Sequence, residues 1–419
     1  MRRVIVLLMC SLQVAVLAGA AGAESIAVVG ARTYTMQDDK PLENATIIIR
    51  DGRITAVGVG IGVPDDAETI DAVCCLVTPA FMNSATQLGL TEVSSVEETN
   101  DHSVVEGFFG AAFDIEYALN ANSELLRQAR ADGLSRAITH PGASSKSPFS
   151  GLGALIRLAP GDSILEQARI GVFAEVGGQS SDDSGGSRSA QWQLLRYVLD
   201  AVKSRRRSRT GSDLDDSFFT PLDLDTMKEV ADGELPLVIE VNRESDIRQA
   251  IALGDDYGIR VVVKGGIEAW TVANELASSG VPVVLDPSIN LPLYFDHMRA
   301  RADNAAILDE AGVKISFKVS SIHTSFNAGF ALREVAGIAV ANGLDYLSAL
   351  EAVTINPATI WGIADRYGTI SAGLEADIII WDGDPFEPAS SPVIVLLGGK
   401  KVSEDTRQKA LSRRYFPQR

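Results

Sequence analysis

In the second half of the chain, apolar positions fall into short unbroken runs separated by stretches with helical spacing. The runs at 235–241, 259–263, 281–285 and 313–319 are dominated by Val, Ile and Leu. Between and after them, 244–253, 268–278, 304–311, 333–342 and 347–353 repeat apolar residues every three or four positions. Strands without a polar face need cover on both sides, and strands separated by helices pair in parallel. The first half is less regular. Residues 76–93 open as a strand, because Pro79 forbids helix across Leu76 and Val77, and Phe81 and Met82 extend the run until Gly89. Further strands are expected at 133–140, ending on His140, and at 154–158 and 170–175, with helical spacing at 108–115, 119–129 and 190–204. Segment 177–189 reads as an exposed Gly/Ser/Asp loop. Segment 205–216 reads as a solvated one, since its basic run is followed at once by Asp213, Asp215 and Asp216. Over about 285 residues, such repeats close naturally into an α/β fold of the (β/α)8 TIM-barrel type, expected over 79–365.

Short strands precede and follow this region. Those at 26–29, 34–39, 45–50 and 53–57 come first, with Asp51-Gly52 as a tight hairpin turn, and 378–381 and 393–397 come last. Residues 1–23 read as a secretory signal: Arg2 and Arg3, an apolar run over 4–17, then Ala21-Gly22-Ala23 as a small-residue cleavage site. The expected product is periplasmic or secreted, with no membrane anchor after cleavage near Ala23. Composition is that of a globular protein, 46% hydrophobic and 22% charged. The net charge of −18 argues against nucleic acid or an anionic membrane surface as partner. Cys74 and Cys75 are neighbours on an expected strand, so they point to opposite faces and read as buried free thiols, and with Cys10 they offer no zinc spacing.

Two stretches carry a family resemblance. Residues 76–89 (LVTPAFMNSATQLG) and 349–385 (ALEAVTINPATIWGIADRYGTISAGLEADIIIWDGDP) resemble the first barrel strand and the closing segment of the amidohydrolase superfamily. The region of Arg243, Ile247, Gly266, Glu268 and Ala269 is similar to its imidazolonepropionase-like branch. The resemblance spans nearly all of 26–405. It implies a small β-sandwich built from both chain ends, 24–78 and 366–405, around the barrel, with 406–419 as a C-terminal tail. It also implies a site at the carboxyl ends of barrel strands 1, 4, 5, 6 and 8, where the family holds zinc or another divalent metal that activates water.

Those positions are occupied here by other chemistry. Ala85 and Gln87 stand at the histidine pair of strand 1, Glu240 and Asn242 at the strand 5 pair, Lys264 at the strand 6 histidine and Ser320 at the strand 8 aspartate; 170–177 holds no lysine. The chain has four histidines, His102, His140, His297 and His323, none paired at a ligand spacing. A lone histidine is ordinarily structural, but His323 follows the strand 8 position. The resemblance therefore implies a polar pocket of Gln87, Glu240, Asn242, Lys264, Ser320 and His323 with no metal and no cofactor, in which Lys264 neutralises Glu240. No P-loop, G-x-S-x-G elbow or dinucleotide fingerprint offers a substitute mechanism. The expected function is that of a binding or partner subunit, a pseudoenzyme with room for a small-molecule ligand. It is expected to form an oligomer, with a metal-competent amidohydrolase relative as partner. The alternative is an active hydrolase of non-peptide carbon–nitrogen bonds with a rebuilt site.

Overall fold

The apolar runs assemble into one sheet. In a computed structural model describing residues 25–178, 180, 186–205, 219–403 and 405–416, eight strands lie side by side in chain order. They are β1 (Phe81–Thr86), β2 (Leu134–Thr139), β3 (Phe149–Arg157), β4 (Leu165–Glu175), β5 (Leu237–Val241), β6 (Val261–Gly265), β7 (Val283–Leu285) and β8 (Ile315–Phe317). The ends of this order meet: the hydroxyls of Ser84 on β1 and Ser316 on β8 share a hydrogen bond, and the sheet is a nearly closed barrel. Residues 1–23, expected to be a signal segment, with Cys10, residues 206–218 of the charged segment, and 179 and 181–185 of the Gly/Ser loop lie outside the described residues.

One strand departs from the expected all-parallel pattern. β3 runs antiparallel to both β2 and β4, while the remaining neighbours pair in parallel. The connections 140–148 and 158–164 are too short for the parallel crossover of about a dozen residues, so the chain reverses by hairpins instead. The expected helix at 108–115 is also absent. The amides of Gly110 and Ala112 donate to the buried Asp223 carboxylate at 3.0 and 2.9 Å, which removes them from any helical ladder. Asp223 does this while closing a capping box with Thr220 at the start of helix Pro221–Ala231. In that part of the chain only a turn at Ile115–Ala118 and helix Glu124–Ala131 form.

Side chains alternate across each strand, and the alternation defines a barrel interior. Ile138, Phe173, Val238, Val262 and Val284 pack there in one cluster, with Trp361 and Tyr367 from the segment after β8. Their neighbours in sequence, such as Ala137, Val172, Leu237, Ile239, Val263 and Val283, pack outward in a second cluster with the surrounding helices.

Both chain ends enter one further sheet. Its strands are Ser25–Thr33, Leu42–Arg50, Arg53–Val59, Glu68–Asp71, Leu76–Pro79, Ile378–Trp381, Pro392–Leu397 and Lys400–Lys401. Ile378–Trp381 lies antiparallel to Leu76–Pro79, directly joining the two ends. This sheet encloses its own apolar cluster, including Ile26, Val28, Ile47, Ile49, Ile378, Ile380 and Leu396. The Asp51-Gly52 turn takes positive φ at both residues (50° and 79°), as a tight hairpin requires. Two local expectations are corrected. Residues 34–39 form no strand, because Met36 turns at φ 60° and Thr35 Oγ1 accepts from Gln37 N. Cys74 is exposed on a turn at φ 66° rather than buried, and Cys75 is half-buried; both are free. The C-terminal tail contains a helix, Arg407–Tyr415, started by Thr406. Among the described residues, no helix is long and apolar enough to cross a membrane.

Candidate functional site

Moving two residues along each strand from the interior apolar layer brings the chain to the barrel mouth and changes its chemistry. Ile138 is followed by His140, Phe173 by Glu175, Val238 by Glu240, Val262 by Lys264, Val284 by Asp286 and Ser316 by Lys318. The period of two keeps all six on the inner side. Register then decides who meets whom. Glu240 lies level with Lys264 on one side and Glu175 on the other. Lys264 Nζ forms an ion pair with Glu240 Oε2, as the sequence led us to expect.

The second ammonium is differently placed. Lys318 is 5% exposed and donates to Ser320 Oγ at 2.8 Å. No carboxylate among the described residues lies within ion-pair distance of it. Burial lowers its affinity for a proton; Glu240 and Asp286 act against that shift, and Lys264 reinforces it. For Glu240, burial alone would raise the pKa, but Lys264 and Lys318 outweigh it and hold the carboxyl down to about 2. Glu175 moves the other way, raised by burial and by Glu240 beside it. His140 is neutral: burial and then Lys264 push its pKa well down. Its Nδ1 lies 2.7 Å from the Pro141 carbonyl, which can only accept, so Nδ1 carries the proton. The ring stacks on Phe173 with centroids 4.8 Å apart.

Two chambers open over this layer. One, about 190 Å³, is bordered by Ala85, Gln87, His140, Lys264 and Thr324. The other, about 200 Å³, is bordered by Asn242, Asp286, Tyr294, Asp296 and His297. Glu175, Glu240, Lys318 and Ser320 line both. Gln87 Oε1 accepts from Thr324 Oγ1 at 3.2 Å. Asn242 Oδ1 and His297 Nδ1 are buried without a hydrogen-bond partner among the described residues. Asn242 sits against Gly265, where an added Cβ would come within 2.4 Å of Oδ1, so glycine at φ 95° makes room for it.

Five of the six sequence candidates therefore line these chambers: Gln87, Glu240, Asn242, Lys264 and Ser320. His323 does not. It is half-exposed and borders an outer groove of about 850 Å³ that shares Asp286 and Ser320 with the chambers, because the turn Ser321–Thr324 carries it past the strand end. Sequence reasoning missed Glu175, Asp286 and Lys318, and set His140 and His297 aside as lone histidines. The signal for most of them was present in the two-residue step from each interior apolar position.

The residues do not fit a divalent metal. Ala85 has no donor atom, Glu240 is engaged by Lys264, and two ammonium groups face the space. Among the described residues no group of three or more His, Cys, Asp or Glu is placed to hold an ion. Positive charge already occupies the position, and a dication there would be repelled.

A nearly closed α/β barrel with convergent polar side chains at the carboxyl ends of its strands defines the class: a TIM-barrel protein with a polar mouth where enzymes of this fold place their sites. The family model for the amidohydrolase family matches residues 147–406, and the chain belongs to that family. It is similar to the crystal structure of an amidohydrolase from Thermotoga maritima (TM-score 0.80, 22% identity, 90% of this chain and 99% of that one). A prolidase complexed with N-methylphosphonate-L-proline shares the fold at TM-score 0.57 and 15% identity, covering 91% of this chain and 100% of that one. Among curated proteins, the amidohydrolase tasK of Hapsidospora irregularis is 43% identical over 63 residues, 15% of this chain and 6% of that protein.

Proposed function

We propose that this chain is an exported, metal-independent member of the amidohydrolase family that binds a small carboxylate-bearing molecule at its barrel mouth and acts as a binding or partner subunit. One observation carries the reading: the two buried ammoniums, Lys264 and Lys318, flank Glu240 at the level where the family's chemistry belongs. A metal ion attracts carboxylates and also acidifies bound water; ammonium groups retain the attraction and lose the acidification. The two chambers together fall at the lower end of small-molecule sites, roughly 300 Å³ and upward. The unpartnered Asn242 and His297 atoms offer further hydrogen bonds to a ligand.

Saturating the wild-type protein with zinc, desalting it and measuring metal by elemental analysis tests this directly. Far less than one zinc per chain is expected. Near-stoichiometric zinc that is lost in a Glu240→Ala variant would replace the reading with a rebuilt metal site. Hydrolysis of a non-peptide carbon–nitrogen bond is the second reading, favoured by family membership; turnover of an amide or cyclic amide panel by the metal-free protein would promote it. Export rests on the signal-like residues 1–23, and mass spectrometry of the cellular protein should find Glu24 at its start; an intact Met1 would remove that part. The oligomeric, partner-subunit role draws support from Leu291, Leu293, Phe295 and Met298, all more than 60% exposed beside the mouth. Light scattering that found only monomer, alone and with a metal-competent family member added, would count against it.

A further inference from the structure

We propose that Lys318 is a nucleophilic amine that forms an imine with a small 2-oxo acid held at the barrel mouth. This rests on the reading of the mouth as a carboxylate site and assigns it a substrate class.

The two lysines there are not equivalent. Lys264 is committed to Glu240, its level neighbour on the adjacent strand. Lys318 follows the end of β8, borders both chambers and, among the described residues, is tied through Ser320 Oγ alone. Groups face it from every side of the mouth: His140 from β2, Glu175 from β4, Glu240 from β5, Lys264 from β6 and Asp286 after β7. A buried amine beside a second cation loses its proton more readily than one in water, which is the condition for attack on a carbonyl carbon. The carboxylate-site reading uses Lys318 only as a charge and leaves the nucleophilicity of its nitrogen unused.

The step balances without an oxidant or reductant. The Nζ lone pair adds to the carbonyl carbon, and the C=O π pair moves to oxygen. That oxygen takes a proton from Glu175, whose carboxyl is kept protonated to higher pH by burial and Glu240. The nitrogen then returns a proton to Glu175, which passes it to the hydroxyl; water leaves as the nitrogen lone pair forms the C=N bond, and the iminium N–H returns the last proton to Glu175. One amine and one carbonyl give one imine and one water. A 2-oxo acid places its carboxylate one bond from the reacting carbon, where the Lys264 ammonium can attract it.

The test uses the full mature chain, with pyruvate or glyoxylate as probe and cyanoborohydride to reduce any imine, followed by peptide mapping. One equivalent of adduct on Lys318 is expected, formed ahead of surface lysines and absent from Lys318→Met. An unmodified Lys318 with adducts on surface lysines, or an adduct on Lys264 instead, overturns the proposal. The mapping is done on the wild type, so a variant that fails to fold does not blunt it. Calorimetry with lactate, which keeps the carboxylate and lacks the carbonyl, separates the two ideas. Lactate bound without a Lys318 adduct sinks the imine and leaves the carboxylate site standing. No binding of lactate or pyruvate, and no adduct, sinks both.

Discussion

Two buried charge clusters sit at opposite ends of the barrel, and they are built differently. At the end facing the second sheet, Arg136 is 1% exposed and saturated with partners. Its Nε donates to Glu166 at 2.8 Å, its two Nη atoms reach Asp377 and Glu375, and its guanidinium lies 3.2 Å over the Tyr367 ring. Tyr367 OH in turn donates toward Glu166 and Glu375. At the mouth, four residues on and just past β2, the cluster begun by His140 includes one ion pair and, among the described residues, a lysine with no carboxylate at ion-pair distance and unpartnered polar atoms on Asn242 and His297. Every nitrogen of the Arg136 guanidinium is engaged by a carboxylate inside the protein, which is what a structural joint requires. The second keeps capacity unspent, and in a low-dielectric mouth that capacity is available to a ligand.

The sharpest way to break this comparison is to unbalance the saturated end. Asp377→Ala removes one of the three carboxylates paired with Arg136 and an acceptor of Gly398 N. A loss of about 3 kcal/mol in denaturant unfolding is expected, the cost of breaking a buried, hydrogen-bonded charge network at one of its members. A loss below about 1 kcal/mol would mean the joint is not the staple described.

Asp132 provides an intermediate case. It follows helix Glu124–Ala131, and its Oδ2 is buried without a hydrogen-bond partner among the described residues. Burial pushes its pKa up to about 6 from an ordinary 3.8, against the pull of Arg333. A folded-state pKa above the unfolded one means the folded chain holds this proton more tightly. Its contribution to stability is therefore complete below about pH 4 and is lost as pH rises through 6. Asp132→Asn removes that penalty, so a gain of about 2 kcal/mol is expected at mildly alkaline pH and none near pH 4. Equal stability of the two proteins at both pH values would show the carboxylate to be satisfied after all.

The smallest effect is expected at the mouth. Lys318→Met keeps most of the volume and removes an ammonium that has only a hydroxyl partner. Stability should stay within about 1 kcal/mol of wild type, or rise, because the desolvation cost of the charge goes with it. If this variant lost as much as Asp377→Ala, the two clusters would be alike and the mouth would be structural.

Much of the fold was legible before the coordinates. The apolar runs marked β5 to β8, and the Ile378–Trp381 strand was read to the residue; the run from Leu76 to Gly89, read as one strand, is divided between Leu76–Pro79 in the second sheet and Phe81–Thr86 in the barrel. The site was legible in part. Glu240 and Lys264 were expected as a pair and are one. Lys318 was overlooked because the aligned position fell on Ser320, two residues on, and attention stayed there. His323 was chosen by its nearness to that position, yet a short turn rotates it out of the mouth.

The sequence by itself determined which residues face inward: a period of two from Val238, Val262, Val284 and Ser316 carries Glu240, Lys264, Asp286 and Lys318 to one side without reference to any other strand. It also determined that no metal ligand stands at Ala85. Tertiary structure decided the rest. Strand register placed Glu240 between Glu175 and Lys264, short connections turned β3 against its neighbours, and closure of β1 on β8 brought Lys318 over the mouth. Those outcomes depend on contacts between residues far apart in the chain, whose energies no local pattern encodes.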